Sequence, residues 1–268
     1  ELAGAVVMGS ANSSMSDYNT ESWIARALYN YDEKYFASAS VMRQASSRFH
    51  KDHRWGTFWS FGGGWLINKE SWFNVDWVDE LKLKASYGET GNDNIGGYLY
   101  TTYYNIANSN DNVSLTPSSL GNKEITWEKT GKFNAGIDFS LLKGRLTGTV
   151  EYYYNKTSDM LSWFSLPPSF GYRGYYDNVG DMANSGIEID LRGDVIRTKD
   201  FTWSLHANLT SNHNEILELA EGNKSWYDEI AGYGYSSSSY FYQEGTSAYS
   251  YWTKEYAGVD KQTGEAMW

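Results

Sequence analysis

The stretch 127–161, WEKTGKFNAGIDFSLLKGRLTGTVEYYYNKTSDML, constrains the fold most, because it alternates in character along two long arms. In the first arm Phe133, Ala135, Ile137, Phe139 and Leu141 share one face, opposite Lys132, Asn134, Gly136, Asp138 and Ser140. The tetrapeptide LKGR follows, where Gly144 is free to take the positive φ of a tight turn. In the second arm Leu146, Gly148, Val150, Tyr152 and Tyr154 oppose Thr147, Thr149, Glu151, Tyr153 and Asn155. A period of two predicts an antiparallel hairpin with one dry and one wet side. Both arms are longer than the usual five or so residues, and reach the roughly 9–11 that a tilted transmembrane strand needs. The dry side therefore meets either a protein core or lipid.

Composition narrows the choice. The mean hydropathy of −0.59 and net charge of −11 look soluble, and no apolar run approaches the roughly eighteen residues of a membrane helix. Barrel strands, however, average to a polar composition. The 12 Trp, 23 Tyr and 11 Phe, 17% of the chain, suit aromatic girdles at the membrane interfaces. An aromatic-rich carbohydrate-binding sandwich reaches the same figure, so composition alone leaves both open. The absence of cysteine excludes disulfides and Cys-based metal sites. The acidic balance argues against nucleic acid as a partner, since phosphate binding needs a basic face.

The rest of the chain repeats the hairpin's pattern. Alternation predicts strands over 22–30, 35–43, 55–66, 80–88, 185–192 and 201–212, and a weaker ninth over 247–259. Residues 1–21 read as a loop, and 67–78 as a longer turn with room for one turn of helix. Short turns alternate with long loops, notably 89–125, the segment around LPPSFGYRGYYDNVG, and a Tyr/Ser/Gly-rich stretch ending near 245. Tight turns at one end and extended loops at the other are the outer-membrane arrangement. All three prolines, Pro117, Pro167 and Pro168, fall in the long loops.

At this point the chain resembles the barrel of SusC/RagA-type TonB-dependent outer-membrane transporters. The resemblance rests on RFHKDHRWGTFWSFGGGWLI (48–67), LKLKASYGETGNDNI (81–95), LGNKEITWEKTGKFNAGIDFSLLKGRLTGTVEYYYNKTSDML (120–161), NVGDMANSGIEIDL (178–191) and EYAGVDKQTGEAMW (255–268). The family's usual Arg-Asp-Gly before SSRF appears here as RQA (43–45), leaving that loop without its turn glycine. The fold expected is an all-β, antiparallel transmembrane barrel, of which residues 1–268 make an incomplete part of about nine strands. Signal peptide, plug domain, TonB box and C-terminal strands are expected to lie outside this stretch. The resemblance implies TonB-dependent uptake of an oligosaccharide, with peptide as second choice, across the outer membrane of a Gram-negative, Bacteroidetes-like bacterium. It also implies a SusD-like surface lipoprotein as lid and the TonB complex as energy source. The rival is a non-transporting carbohydrate-binding β-protein of the cell surface.

On the barrel reading, the lipid-facing wall comprises Phe133, Ile137, Phe139, Leu146, Val150, Tyr152, Trp203 and Leu205. The lumen-facing set comprises Lys82, Lys84, Asp138, Glu151, Glu188, Asp190 and Arg192. Loop aromatics Trp163, Phe164, Tyr172, Tyr175, Tyr176, Tyr233, Tyr235, Tyr240 and Tyr242 are candidates for substrate or partner contact. Three readings of them stand level: stacking on sugar rings, an interface with another protein, and internal packing of the loops over the barrel mouth. No GxSxG, HExxH or P-loop is present, so no enzymatic activity and no cofactor are expected. His50 and His53 form an HxxH in a polar loop, but zinc needs further ligands at defined spacing. GNDNIG (91–96) and VDKQTGE (259–265) faintly resemble calcium loops, although Asn, Asp and Gly are first of all turn residues.

Overall fold

The structure is a computed structural model that describes residues 15–109, 112–224, 227–229 and 231–268. The first part of the expected loop over 1–21, up to residue 14, lies outside the described residues. Twelve strands organise the rest: β1 Thr20–Tyr31, β2 Tyr35–Ser46, β3 Trp55–Leu66, β4 Val78–Asn92, β5 Tyr103–Ser109, β6 Asn112–Ser119, β7 Glu128–Leu141, β8 Leu146–Ser158, β9 Leu161–Ser165, β10 Gly174–Asn178, β11 Asp181–Arg197 and β12 Thr202–Glu218. Eight of them form one sheet in the order β1-β2-β3-β4-β7-β8-β11-β12. Every neighbouring pair is antiparallel. β1 and β12 are the two free edges of this sheet, so it is an open length of wall rather than a closed ring.

The opening hairpin forms in the register its pattern dictates. Leu141 pairs with Leu146, Ile137 with Val150 and Phe133 with Tyr154. The turn between β7 and β8 places Gly144 at φ 73, with Leu142 and Lys143 also left-handed. β4 and β11 extend the same two faces, since Leu83 stands opposite Ile137 and Ile189 opposite both Val150 and Leu209. No second sheet covers the apolar side among the described residues: Ile137 is 41% exposed, Val150 37% and Leu205 52%. A β-sandwich would bury these side chains against a facing sheet, and this feature counts against the soluble carbohydrate-binding alternative.

Four connections lie at one end of the sheet: residues 32–34, 67–77, 142–145 and 198–201. At the other end lie 47–54, 93–127, 159–180 and the long stretch after β12. The separation into two ends follows the expected pattern, but the lengths do not alternate strictly. The connection 67–77, with its 3-10 turn Ile67–Lys69, is longer than the loop over 47–54. Hairpins β5–β6 and β9–β10 sit inside two of the longer loops, where the residues show no regular alternation. Pro117 falls in β6, opposite Tyr104 and next to a register shift, where the missing N–H costs least.

The ninth strand expected over 247–259 does not form. Tyr251 makes an isolated bridge to Tyr240, and Gly258–Val259 pairs with Ala266–Met267 in a small separate hairpin. The segment has no consistent apolar face to lay against a wall, so loop-end contacts decide its path. The wall therefore has eight strands in this chain rather than nine.

Candidate functional site

The polar face of the wall is built by long side chains that pass over glycines. Lys84, Gly136 and Glu151 stand in one transverse row across β4, β7 and β8. The Lys84 ammonium lies 2.9 Å from Glu151 and 3.0 Å from Asp138, the latter also accepting a hydrogen bond from Thr149 at 2.9 Å. A Cβ at residue 136 would sit 3.0 Å from Lys84 Cε and 2.9 Å from the Val150 carbonyl. Glycine at 136 is what lets the lysine stem cross one strand to reach the next. The device recurs at Tyr153, which lies in register with Gly186 and donates across it to Asn212 Oδ1 at 2.8 Å. Lys82 leans toward the Phe36 ring, 5.4 Å from its centroid, a cation–π contact. Further along the same face, His206 meets Asp190 at 2.6 Å and is paired across the strands with Arg192.

The loop end has the opposite construction. Phe49, Phe58, Ile125 and Trp127 form a fully buried cluster, with Met42, Ile95, Leu161 and Tyr176 packed against it. Trp127 stacks edge-on with Phe58 and tilts against Phe49, both at 5.4 Å, while its indole N–H donates to the Arg54 carbonyl at 2.8 Å. Polar side chains tie the loops around this cluster together. Asn178 accepts from the Thr126 N–H and donates to the Thr126 and Asp159 carbonyls. Asn122 donates to the Tyr176 carbonyl and to Asp177, and Thr126 donates to the His53 carbonyl. Loops 47–54, 93–127 and 159–180 are thereby fixed as one block.

The faint metal motifs are absorbed by the same bonding. Asp93 accepts from Ser46 at 2.6 Å and Tyr18 at 2.9 Å, and Arg48 donates to its carbonyl at 2.7 Å. Asp260 accepts the Gln262 and Thr263 backbone N–H groups within a turn, and those bonds hold its carboxyl below the usual carboxylate range. His50 and His53 turn to separate carboxylates, Asp52 at 3.2 Å and Glu124 at 3.1 Å. Among the described residues no group of three or more His, Asp or Glu is placed to hold a metal ion.

Eight of the nine loop aromatics form ring pairs rather than one patch. Trp163 meets Tyr176 at 5.2 Å, Phe164 meets Tyr175 at 5.5 Å, and Tyr235 stacks on Tyr242 at 4.9 Å. Tyr240 stacks on Tyr251 at 5.3 Å, and Tyr233 meets Tyr227 edge-on at 5.1 Å. Tyr176 also packs against the buried cluster, whereas Trp163 and Tyr233 expose large faces. Tyr172 is half-buried in the loop between β9 and β10. Burial of its ring lifts the Tyr235 hydroxyl above the ordinary tyrosine range, helped by the Tyr242 hydroxyl alongside.

Comparison with known proteins agrees with this two-ended, two-faced wall. The family model described as TonB dependent receptor-like, beta-barrel matches residues 3–267. The chain belongs to the TonB-dependent receptor β-barrel family. Within it, the chain is 37% identical over 221 residues to TonB-dependent receptor SusC of Bacteroides thetaiotaomicron, covering 79% of this chain and 22% of that one. It is 36% identical over 225 residues to TonB-dependent receptor P39 of Formosa agariphila, covering 83% and 21%. Among solved structures it superposes on the RagAB peptide importer in its 'open-open' state with a TM-score of 0.83 at 31% identity, covering 97% of this chain and 28% of that one. The 'closed-closed' state gives 0.81 at 32%, covering 94% and 27%. The chain thus spans about a fifth of the length of the named receptors. TonB-dependent receptors of this type are outer-membrane proteins, and among the described residues no helix is long and apolar enough to cross a membrane.

In this receptor the buried cluster is not foreseen from the sequence. Its signal is the presence of large apolar residues, Phe49, Ile125 and Trp127, in otherwise polar loops. The glycine crossings are also missed, although Gly136 and Gly186 each stand amid long polar neighbours on the wet face.

Proposed function

We propose that this chain supplies wall, wet lining and external loops to a TonB-dependent importer of the outer membrane. The observation that carries this reading is the single open sheet, apolar and uncovered on one face and ionic on the other, with its buried loop block at one end. On this reading Phe133, Ile137, Phe139, Leu146, Val150, Tyr152, Trp203 and Leu205 meet lipid. Lys82, Lys84, Asp138, Glu151, Glu188, Asp190 and Arg192 line the lumen. The cargo is an oligosaccharide enclosed beneath a SusD-like lipoprotein, with energy delivered through TonB by parts of the receptor beyond residues 1–268. A peptide cargo is the second reading, favoured by the likeness to a peptide importer. The exposed ring faces of Trp163 and Tyr233 are the surfaces offered to cargo or lid.

Uptake of labelled neutral oligosaccharides and of peptides by cells making the full-length receptor, with and without TonB, tests the proposal. Saturable oligosaccharide uptake that stops when TonB is removed is expected. Uptake indifferent to TonB, or a full-length protein wholly soluble without detergent, would overturn it.

A further inference from the structure

One region of the wet face is built differently from the ionic rows around Lys84. Toward the loop end, the register across β7, β8, β11 and β12 gathers amides from all four strands. Asn134, Tyr153, Gly186 and Asn212 make one transverse row. Asn155, Asn184 and Asn214 make the next. Glu151, Glu188 and Thr210 make the row on the other side. Gly186 carries no side chain in the first row, and the Tyr153 side chain passes over it. Asn134, Tyr153, Asn155, Asn184, Glu188 and Asn212 line an open polar concavity of about 390 Å³, within the roughly 300–1,000 Å³ usual for small-molecule sites.

The bonding inside this concavity is incomplete. Asn214, itself buried, donates to Asn184 Oδ1 at 2.8 Å, and its own Oδ1 accepts from Ser247 and Ala248. This fixes the Asn184 amide with its nitrogen left to donate. Tyr153 donates to Asn212 Oδ1 and so turns that amide in the same manner. Among the described residues, none bonds to the side chains of Asn134, Asn155 or Glu188. The result is a shelf of oriented amides with free donors and acceptors, beside the ring of Tyr153 and one carboxylate. No cation lines it, and Lys132, in register with Asn155, stands beside it.

We propose that this shelf is a binding site for a neutral oligosaccharide on the lumen wall, at a depth below the loop aromatics. It rests on the reading of the wet face as lumenal and of the cargo as a glycan. Each sugar hydroxyl is at once donor and acceptor, and a carboxamide presents one of each at matching spacing. A tyrosine ring offers the apolar face of a pyranose a surface while its hydroxyl stays bonded. An anionic ligand would lack a counter-charge at Glu188 and meet repulsion there. A peptide's apolar side chains would find only the Tyr153 ring in this lining.

The test uses the full-length receptor in its membrane, with equilibrium binding of neutral gluco-, manno- and xylo-oligosaccharides and of peptides. The double variant Asn134→Leu/Asn155→Leu is compared with wild type after heat-modifiable migration has shown an assembled barrel. It should lose roughly tenfold or more in affinity for the bound oligosaccharide, as two neutral hydrogen bonds disappear together. Asn155→Gln, which keeps the amide, should retain most of it. If the double variant does not assemble, Asn134→Ala must show a loss in the same direction. Wild-type binding of an oligosaccharide with unchanged affinity in the assembled variants overturns the shelf and leaves the proposed function standing. Variants that raise protease sensitivity of the receptor's other domains while glycan affinity holds would make the shelf a domain contact and also overturn it. Wild-type binding of peptides alone overturns the glycan reading and the shelf together.

Discussion

The sheet around β7 and β8 and the block around Trp127 handle hydrophobic surface in opposite ways. In the wall, Ile137, Val150 and Tyr152 remain exposed although they stand in register with apolar neighbours on adjoining strands. In the loop block, Phe49, Phe58, Ile125 and Trp127 are sealed from solvent by one another. One region leaves its apolar face uncovered, as the proposed contact with lipid requires, and the other makes a core of its own, as a water-exposed structure must. On the proposed reading, this difference marks where the membrane ends along the molecule.

Perturbing each region should therefore give separable outcomes. The largest effect is expected at the block. Trp127→Ala removes the central ring and the bond to Arg54, and should cost about 3–5 kcal/mol locally. Amide exchange should accelerate across 47–54, 93–127 and 159–180 while the heat-modifiable barrel persists. Loss of the barrel itself would mean that wall and block are one cooperative unit.

Next in size is a charge on the dry face. Ile137→Arg or Val150→Arg should cost about 2–4 kcal/mol near the membrane midplane and block assembly. Asp138→Asn and Glu151→Gln, each adjacent in sequence but on the wet face, should assemble normally. Equal behaviour of the two pairs, followed by heat-modifiable migration in gels, would erase the distinction between faces.

A smaller effect is expected at the crossing point. Gly136→Val would press on the Val150 carbonyl and the Lys84 stem, costing about 1–3 kcal/mol as overpacking usually does. The denaturation midpoint in lipid vesicles should fall, and a Lys84→Ala partner change should recover only the part due to the lysine.

The smallest is a pH effect at the end of the chain. Hydrogen bonds from the Thr263 and Gln262 N–H groups depress the Asp260 carboxyl. Their stabilisation is present above the unfolded value of about 3.9 and fades as pH falls through the lower folded value. Exchange of those two amides should quicken only in acid, and Asp260→Ala should show the quickened rate at neutral pH.

Much of the wall is legible in the residues because period-two alternation is a local signal that a sheet with one apolar and one polar face leaves along its strands. That signal alone names the faces of β7 and β8 and places the β1–β2 hairpin. It stops short at the loop ends, where β4 runs on to Asn92, β7 begins at Glu128 and β12 continues to Glu218. There the environment of each face changes from membrane or lumen to loop, and alternation no longer reports it. Trp127 is visible only as the first residue of a hairpin, since its burial depends on Phe49 and Phe58 from distant segments. The segment 247–259 fails for the converse reason: its Tyr, Trp and Thr residues favour strands, yet nothing there defines a dry side. The polar concavity is hidden because its residues come from four strands and meet only once the register is known.

The two sides of the wall can be read most directly at neighbouring residues of β8. The chain has no cysteine, so Val150→Cys and Glu151→Cys in the full-length receptor, itself freed of any other cysteine, each supply a single thiol. The expected result is that a membrane-impermeant maleimide modifies the thiol at residue 151 through the lumen. At residue 150 the thiol should escape that reagent, and a fluorophore placed there should be quenched by brominated lipid. Reversed or equal reactivity at the two positions would contradict the assignment of the apolar face to lipid.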